Sequence, residues 1–385
     1  MLNSMPAKNI VIVVGEGSGD AHAARVITHL KQHEPSINIK GIGGENLREA
    51  GVEIVTDFSE LAVMGLIEVL KRYRKIKAIF NQMVHLLKAE KPDLLILVDY
   101  PGFNLKLAKE AKKIGVPVLY YISPKVWAWR AGRVKTIKKS VDHMAVLFPF
   151  EVPIYEAESI PVTCVGHPLV DAVTVKHSNS QAKEKLGFEA KRLILGVFPG
   201  SRESEVKTLL PIMLDAAKKL QKTQKNIDIV LPVAQGLDLT AINTIVATST
   251  IDVNIIEDDF YTVTTACDAI VAASGTVTLE IALLGVPHFI VYRVSPLSYS
   301  ILSRFIKIPY VGLCNIVTGK NLVLELLQND VTAIRLAEEL TPLLQKKDAK
   351  KKAEEIQQQI RAALGQAGGA DNAAKLIIKL LGSHQ

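Results

Sequence analysis

Short runs of Val, Ile and Leu alternate with longer stretches of helical period along the whole chain. The first half carries such runs at Asn9–Val14, Ile37–Gly41, Leu94–Val98, Val118–Ile122 and Met144–Leu147. The second half carries them at Leu193–Phe198, Ile227–Val233, Val253–Ile256, Ala269–Ala272 and His288–Tyr292. Most are nearly continuous in apolar residues, the pattern of strands covered on both faces. Strands that alternate with helices imply parallel sheets with helical crossovers. The helical period is clearest at Ala21–Lys31, Ser204–Leu220 and Val277–Leu284, and again over Leu336–Leu381.

The two halves open alike. Asn9–Val14 feeds a glycine-rich turn and a helix, and Leu193–Phe198 feeds Pro199-Gly200-Ser201-Arg202 and a helix. Between the halves, Asp171–Arg192 is polar, mixed in charge and poor in strand pattern. The expectation is an α/β protein with two Rossmann-like domains, residues 1–172 and 190–345, whose parallel sheets face a central cleft. Ligands then bind at the C-terminal ends of the strands. Residues 346–385 are expected as helices that pack on the first domain or on a partner. The lysine cluster Lys346–Lys352 reads as a solvated helix face.

Composition narrows the function. A chain of 385 residues that is 48% hydrophobic is too apolar for disorder and too long for one ordinary core. Lys and Arg number 46 against 39 Asp and Glu, and the resulting +7 suits an anionic partner. The basic residues are dispersed and aromatics make up only 5%, with no RNA or DNA motif, so nucleic acid is not the expected partner. Cys164, Cys267 and Cys314 are scattered, which argues against a disulfide framework and a thiolate metal site. No stretch approaches the ~20 apolar residues that span a bilayer, and the first apolar run is too short for a signal peptide. The chain is expected to be cytoplasmic, soluble or peripheral.

Two kinds of glycine turn stand out. Gly15-Glu-Gly-Ser-Gly-Asp20 misses the dinucleotide fingerprint, because Asp20 stands where its third glycine belongs. A carboxylate there repels a pyrophosphate, and a helix N-cap is the simpler role for Asp20. Gly17, Ser18 and Gly19 instead let a substrate approach the backbone. The turn Gly200-Ser201-Arg202 has the opposite electrostatics. Backbone N–H groups at the start of its helix favour an anion, and the Arg202 fork matches phosphate oxygens. Ser274-Gly275-Thr276 repeats the strand–turn–helix arrangement, and Glu280 follows one turn on. A carboxylate there either accepts both hydroxyls of a ribose or is a solvated helix residue. Asp99 ends the strand Leu94–Val98; its local sequence fits a turn aspartate and a general base equally well.

Taken together, the motifs resemble the donor half of GT-B glycosyltransferases that use UDP-sugars, and more specifically the lipid-A-disaccharide synthase family. The segments that carry the resemblance run collinearly over almost the whole chain. They are Gly15–Asp20, Val63–Leu70, Val98-Asp-Tyr-Pro-Gly-Phe-Asn104, Ser123-Pro-Lys-Val-Trp-Ala-Trp-Arg130 and Val165-Gly-His-Pro168, then Pro199–Arg202, Ser274–Glu280 and Gly312-Leu-Cys-Asn315 with Asn321–Val323. The chain departs from the family pattern at Gly17, Gly102 and Cys314, where Ala, Asp and Pro are common. Gly102 removes one candidate carboxylate and leaves Asp99.

The resemblance implies inverting transfer of 2,3-diacylglucosamine from UDP to the 6-hydroxyl of 2,3-diacylglucosamine 1-phosphate. It implies Asp99 as base and Arg202 as the diphosphate's partner, so these two are the candidate catalytic residues. Gly200, Ser201, Ser274, Gly275, Thr276, Glu280 and Asn315 are the other candidate UDP contacts. Gly17, Ser18, Gly19, Asp20 and Trp127 are candidates on the acceptor side, with core packing as the alternative for Trp127 and Trp129. His22 and His167 lie beside these motifs. His29 and His33 have i, i+4 spacing but read as a solvated helix end. No metal or cofactor is expected.

Leu61–Leu70 is apolar and Lys71–Lys77 basic. On a helix, Leu66, Ile67, Leu70, Tyr73 and Ile76 would share an apolar stripe with cationic flanks, and Leu66, Ile67, Val69, Leu70 and Tyr73 are the candidate membrane contacts. That face is either a buried amphipathic helix or, with diacylated substrates, a contact with the anionic inner-membrane surface on its cytoplasmic side. The expected partners are the two lipid substrates and that surface, and a homodimer is left open. The rival readings are a polyprenyl-lipid GlcNAc transferase, a UDP-GlcNAc 2-epimerase, and a non-catalytic module that binds UDP or acidic lipid.

Overall fold

The computed structural model describes residues 8–61, 66–128, 132–234, 236–257, 259–295, 309–345 and 348–383, with the side chains of 66–72 and 383 excepted. The chain divides into two compact units, Met1–Asp171 with Gly365–Gln385, and Ala172–Leu364.

The first unit is built on a seven-stranded sheet among the described residues, in the order β3-β2-β1-β4-β5-β6-β7. The strands are β1 (Asn9–Val14), β2 (Asn38–Gly43), β3 (Glu53–Asp57), β4 (Leu94–Val98), β5 (Val118–Tyr121), β6 (His143–Val146) and β7 (Val162–Cys164). All neighbours pair in parallel. Alternate residues of the continuous apolar runs serve opposite faces. Ile10, Ile12, Ile96 and Val98 pack with Ile27 and Leu30 of the helix Gly17–His33. Val11, Val13, Leu95 and Leu97 pack with Met83 and Leu87 of the helix Leu66–Glu90.

The register matters for the site. Val14 lies opposite Val98, and Val98 opposite Tyr121. Gly15, Asp99 and Ile122 therefore leave the sheet side by side at one edge.

The last helix, Gly369–Ser383, belongs to this unit and packs Ala374 and Ile377 into the core shared with Gly17–His33. His33 Nε2 lies 2.7 Å from Asp371 Oδ1 and His29 Nδ1 3.9 Å from it. Both side chains stay exposed, at 42% and 40%, as a solvated helix end implies. The pair bridges the first helix of the unit to the last.

Among the described residues, the second unit has six parallel strands in the order β10-β9-β8-β11-β12-β13. They are β8 (Leu193–Phe198), β9 (Ile227–Pro232), β10 (Asn254–Ile256), β11 (Ala269–Ala273), β12 (His288–Tyr292) and β13 (Glu325–Leu327). Val197, Val271 and Val291 pack against Leu210 and Met213 of the helix Glu203–Thr223, and against Leu336 and Leu340 of Ala333–Gln345. The helix Asp348–Leu364 docks on Thr276–Leu283 through Arg361 and Gln357, which both donate to Leu283 O. Phe198 lies opposite Ala272, so the turns after β8 and β11 emerge together.

Three strands escape the hydrophobic pattern: β3, β7 and β13. Each is an edge strand of three to five residues with mostly half-buried side chains. Such strands carry no continuous apolar run. Among the described residues, no helix is long and apolar enough to cross a membrane.

Candidate active site

The edge of the first unit where β1, β4 and β5 end is under backbone strain. Asp99 and Tyr100 both take left-handed conformations, at φ 44° and 45°, and Ile122 does so at 64°. Such a conformation is uncommon outside glycine and an outlier for a β-branched residue. It costs of order 1–3 kcal/mol per residue and is held only by surrounding contacts. Those contacts are present at Asp99. Its carbonyl accepts from Asn104 Nδ2 at 2.8 Å and from Tyr120 Oη at 2.5 Å. Tyr100 Oη donates to Leu61 O at 3.0 Å, and a Cβ on Gly15 would run into the Tyr100 ring. These bonds clamp the backbone carbonyl of Asp99 and leave its half-buried carboxyl out of the clamp. Burial pushes its pKa up to about 6; the Glu16 carboxylate adds to the rise, and Lys125 and Arg133 oppose it.

A second acid at this edge went unseen in the sequence. Glu151 follows β6 and is 3% exposed. Burial raises its pKa to about 7. Its Oε1 accepts from Trp127 Nε1 at 3.2 Å and its Oε2 from Phe148 N at 3.3 Å, and Ser123 also bonds it. Ser123 Oγ lies 2.6 Å from Tyr155 Oη. Nothing in Phe148-Pro-Phe-Glu151 marks a site by sequence alone, because the function of Glu151 depends on what β5 and β7 bring beside it.

Trp127 is half-buried and packs edge-to-face on Phe150, with ring centroids 5.5 Å apart. Trp129 lies outside the described residues. Burial lowers the pKa of His167 to about 4, with His22 contributing, and lowers that of His22 as well, with Arg25 contributing. His167 stacks on Phe148 at 4.8 Å. Both imidazoles are therefore neutral at physiological pH.

The first glycine turn behaves differently from expectation in one respect. The helix begins at Gly17, with Glu16 as its N-cap, so Asp20 lies inside the first turn and does not cap it. Asp20 is fully buried and reaches across to the short helix Glu45–Glu49. It accepts from Gly44 N at 2.6 Å, Asn46 N at 3.1 Å and Asn46 Nδ2 at 2.9 Å. It serves as the cap of that neighbouring helix, with no exposed oxygen for a substrate. Gly17 and Ser18 are exposed, Gly19 is buried, and Ser18 Oγ donates to Glu16 Oε1 at 2.6 Å.

In the second unit the helix Glu203–Thr223 starts at Arg202. The backbone N–H groups expected to await an anion are already engaged. Glu205 Oε2 accepts from Ser201 N at 3.2 Å and Arg202 N at 3.3 Å, while Oε1 accepts from Arg202 Nη1 at 2.8 Å. Gly200 takes φ 109°, which only glycine tolerates well. The Arg202 side chain is 76% exposed. The helix Thr276–Leu283 starts at an exposed Gly275 with no side-chain cap, so its positive end faces solvent. Ser274 Oγ is spent on Val311 O at 2.9 Å. Glu280 is half-buried, accepts from Tyr261 Oη at 3.1 Å, and has its pKa raised by burial.

Asn315 is not in a loop and does not present itself to a ligand. It lies in the helix Leu313–Thr318 and is fully buried. Its Nδ2 donates to Val323 O and Glu325 Oε1, both at 2.7 Å, and its Oδ1 accepts from Leu322 N and Val323 N, both at 2.9 Å. A saturated amide of this kind fixes the 321–325 segment, which corrects its assignment as a UDP contact.

Tyr73 is 57% exposed on the helix Leu66–Glu90, whereas the side chains of Leu66, Ile67, Val69 and Leu70 lie outside the described residues. Among the described residues, no group of three or more His, Cys, Asp and Glu is arranged to hold a metal ion.

Comparison with known proteins decides the family. A lipid-A-disaccharide synthetase family model matches residues 10–378. A lipid-A-disaccharide synthase of Geobacter metallireducens is 44% identical over 384 residues, covering 100% of both chains. The chain belongs to the lipid-A-disaccharide synthase family. Among solved structures, the UDP-GlcNAc 2-epimerase of Neisseria meningitidis bound to UDP-GlcNAc aligns with TM-score 0.62 at 15% identity, covering 97% of this chain and 100% of that one. The calicheamicin glycosyltransferase CalG4 aligns with TM-score 0.61 at 15% identity, covering 98% and 99%. These likenesses fix the fold as GT-B. Membership in the lipid-A-disaccharide synthases makes the chain a glycosyltransferase of lipid A biosynthesis, acting on UDP-sugar and lipid substrates.

Proposed function

We propose that the chain carries out the inverting transfer of 2,3-diacylglucosamine from UDP to the 6-hydroxyl of 2,3-diacylglucosamine 1-phosphate, with Asp99 as the general base. The observation that carries this is the Asp99 carboxyl, held by strained and clamped backbone at a strand end, with a pKa of about 6. At neutral pH it is ionised yet basic enough to take a proton from an alcohol as the alcohol attacks.

The departing diphosphate gains negative charge in the transition state. Arg202 and the open start of the helix at Thr276 are the groups in the second unit that stabilise it. Glu205 engages Nη1 of Arg202 and so preorients the guanidinium, which leaves Nε and Nη2 for phosphate among the described residues. Gly200, Ser201, Ser274 and Gly275 shape the turns that admit the diphosphate. Glu280, steadied by Tyr261, accepts the ribose hydroxyls. Gly17, Ser18 and Trp127 line the acceptor side.

The apolar and basic segment Leu66–Lys77, with Leu66, Ile67, Val69, Leu70 and Tyr73, holds the enzyme to the anionic cytoplasmic face of the inner membrane, where both acylated substrates reside. The test of the whole reading is incubation with UDP-2,3-diacylglucosamine and 2,3-diacylglucosamine 1-phosphate, followed by mass spectrometry of the lipid phase. A disaccharide 1-phosphate with equimolar UDP is expected. Turnover of the donor without acceptor would instead mark an epimerase.

A further inference from the structure

The second unit holds a cavity of about 350 Å³ that the transfer derived above does not use. Its walls come from the helices Ala333–Gln345 and Asp348–Leu364, from the stretch that leads into β13, and from the start of β12. His288 opens β12, and Leu322–Leu324 run directly into β13, so the cavity lies at the N-terminal ends of these strands. The anion-binding turns follow the C-terminal ends of β8 and β11. β12 has 5 residues, which puts roughly 16 Å between the two edges of the sheet.

Size and lining are those of a small-molecule site. At ~30 Å³ per water, the volume equals that of about twelve waters. The walls are mostly apolar with a few polar groups among them, the usual make-up of a ligand pocket. Leu324, on the wall, is 37% exposed, an apolar side chain left to solvent. The charged residues among the described lining are Glu339, Asp348 and Lys352. Glu339 Oε1 pairs with Arg335 Nη2 at 2.6 Å, and Asp348 and Lys352 are of opposite sign at i, i+4. These charges cancel, so the lining favours an uncharged ligand.

His288 supplies the directional contact. Its Nδ1 lies 2.9 Å from Val286 O, and a carbonyl only accepts, so Nδ1 carries the proton. Burial lowers the pKa of the ring to about 4, which leaves it neutral at physiological pH with Nε2 as a bare acceptor. That Nε2 is buried and has no hydrogen-bond partner among the described residues. A buried acceptor left unpaired costs stability and is rare in folded proteins.

We propose that this cavity is a binding site for a neutral amphiphile of about a dozen heavy atoms, an apolar body with one hydroxyl, whose O–H donates to His288 Nε2.

The experiment is a ¹⁵N spectrum of the full-length protein carrying ring-labelled histidine, titrated at neutral pH with 1-octanol and, separately, with its isomer 1-methoxyheptane, an ether that lacks the donor. The His288 signals are those that vanish in His288→Phe, or in His288→Gln if the first variant does not fold. Without ligand, His288 is expected as the Nδ1–H tautomer. 1-Octanol then moves its Nε2 signal saturably, in the direction of an accepted hydrogen bond. 1-Methoxyheptane binds about three- to tenfold more weakly and leaves Nε2 near its free position. Ala349→Trp, which fills the cavity from a half-buried position on its wall, removes the octanol shift while the thermal melt stays at the wild-type value. If that variant does not fold, Leu324→Trp narrows the same cavity from its exposed wall and is expected to weaken the shift.

An Nε2–H tautomer in the free protein overturns the proposal, because the acceptor would then not exist. No saturable shift up to the solubility limit of 1-octanol overturns it as well, and so does an ether that moves Nε2 as far as the alcohol does. A shift that survives the tryptophan variants places the alcohol elsewhere. A shift that follows protein concentration instead of octanol gives the cavity to a second copy of the chain. Either result is fatal to the proposal.

Discussion

The two units end their parallel strands in opposite ways. In the first, the ends of β4 to β7 draw polar groups inward. Asp99 and Glu151 lose solvent and become weaker acids, His22 and His167 become weaker bases, and the backbone between them is strained. In the second, the ends of β8 and β11 present polar groups outward. Arg202 is largely exposed, and the helix at Thr276 starts without a side-chain cap. Enclosure tunes proton affinity, whereas exposure of fixed donors suits the capture of an anion. On the proposed function, one fold repeated twice supplies a proton acceptor in one copy and a phosphate receiver in the other.

The contrast breaks first at Asp99. Asp99→Asn removes the base and nothing from the anion-binding turns, so turnover falls by about 10²–10⁴-fold while UDP affinity by calorimetry stays at the wild-type value. The same argument gives the wild-type pH dependence. Asp99 must be ionised to act, so kcat/KM falls as the pH drops through about 6. Arg202→Ala is the complementary break. It removes a preorganised charge from the leaving group and lowers kcat by roughly 10²–10³-fold, with weaker UDP binding and an unmoved acid limb. If Arg202→Ala shifted the acid limb instead, the division of labour between the units would be wrong.

A smaller effect tests what Glu280 holds. Glu280→Gln leaves one acceptor where two ribose hydroxyls need two, and a charged hydrogen bond is worth about 1.5–3 kcal/mol. Donor KM therefore rises about tenfold or more with little change in kcat. An unchanged donor KM would make Glu280 a partner of Tyr261 and nothing more.

These sites differ in how far the sequence reveals them. Gly200, Gly275 and Arg202 are legible because a glycine turn between an apolar strand and a helix is a local pattern, and local patterns survive folding. Asp99 is legible as the residue that ends β4, but its raised pKa depends on Glu16 and on enclosure by other strands. Asn315 and Asp20 mislead for the same reason. A polar residue near a glycine looks ligand-facing, yet Asn315 spends its amide on 322–325 and Asp20 its carboxylate on 44–46. Glu151 is invisible because its partners at Ser123 and Trp127 come from more than twenty residues away. The central strands are written in their apolar runs, while the three short edges leave no such trace and the strand order comes from the structure alone.

Asp20 turns the contrast into a stability measurement. Its carboxylate is fully buried, so Asp20→Asn sets an amide donor against backbone N–H groups and costs about 1–3 kcal/mol. Chemical denaturation would show this as a lower midpoint with an unchanged slope. Glu280→Gln should move the midpoint hardly at all, since Glu280 has one such bond.

The smallest effect belongs to a cluster of the first unit that stays in solvent. Asp371 holds His33 and Lys375, and these hydrogen bonds lower its pKa to about 2. A depressed carboxylate contributes stability that is complete above the unfolded value of about 4 and is lost as pH falls toward 2. Asp371→Asn therefore lowers Tm slightly at pH 7, and its gap from wild type closes between pH 4 and pH 2. Screening by solvent and salt keeps the gap small, and added salt shrinks it further. Asp20→Asn should show no such salt dependence, because its bonds lie out of reach of mobile ions. Equal salt sensitivity in the two variants would mean that enclosure does not separate these polar groups as the structure draws them.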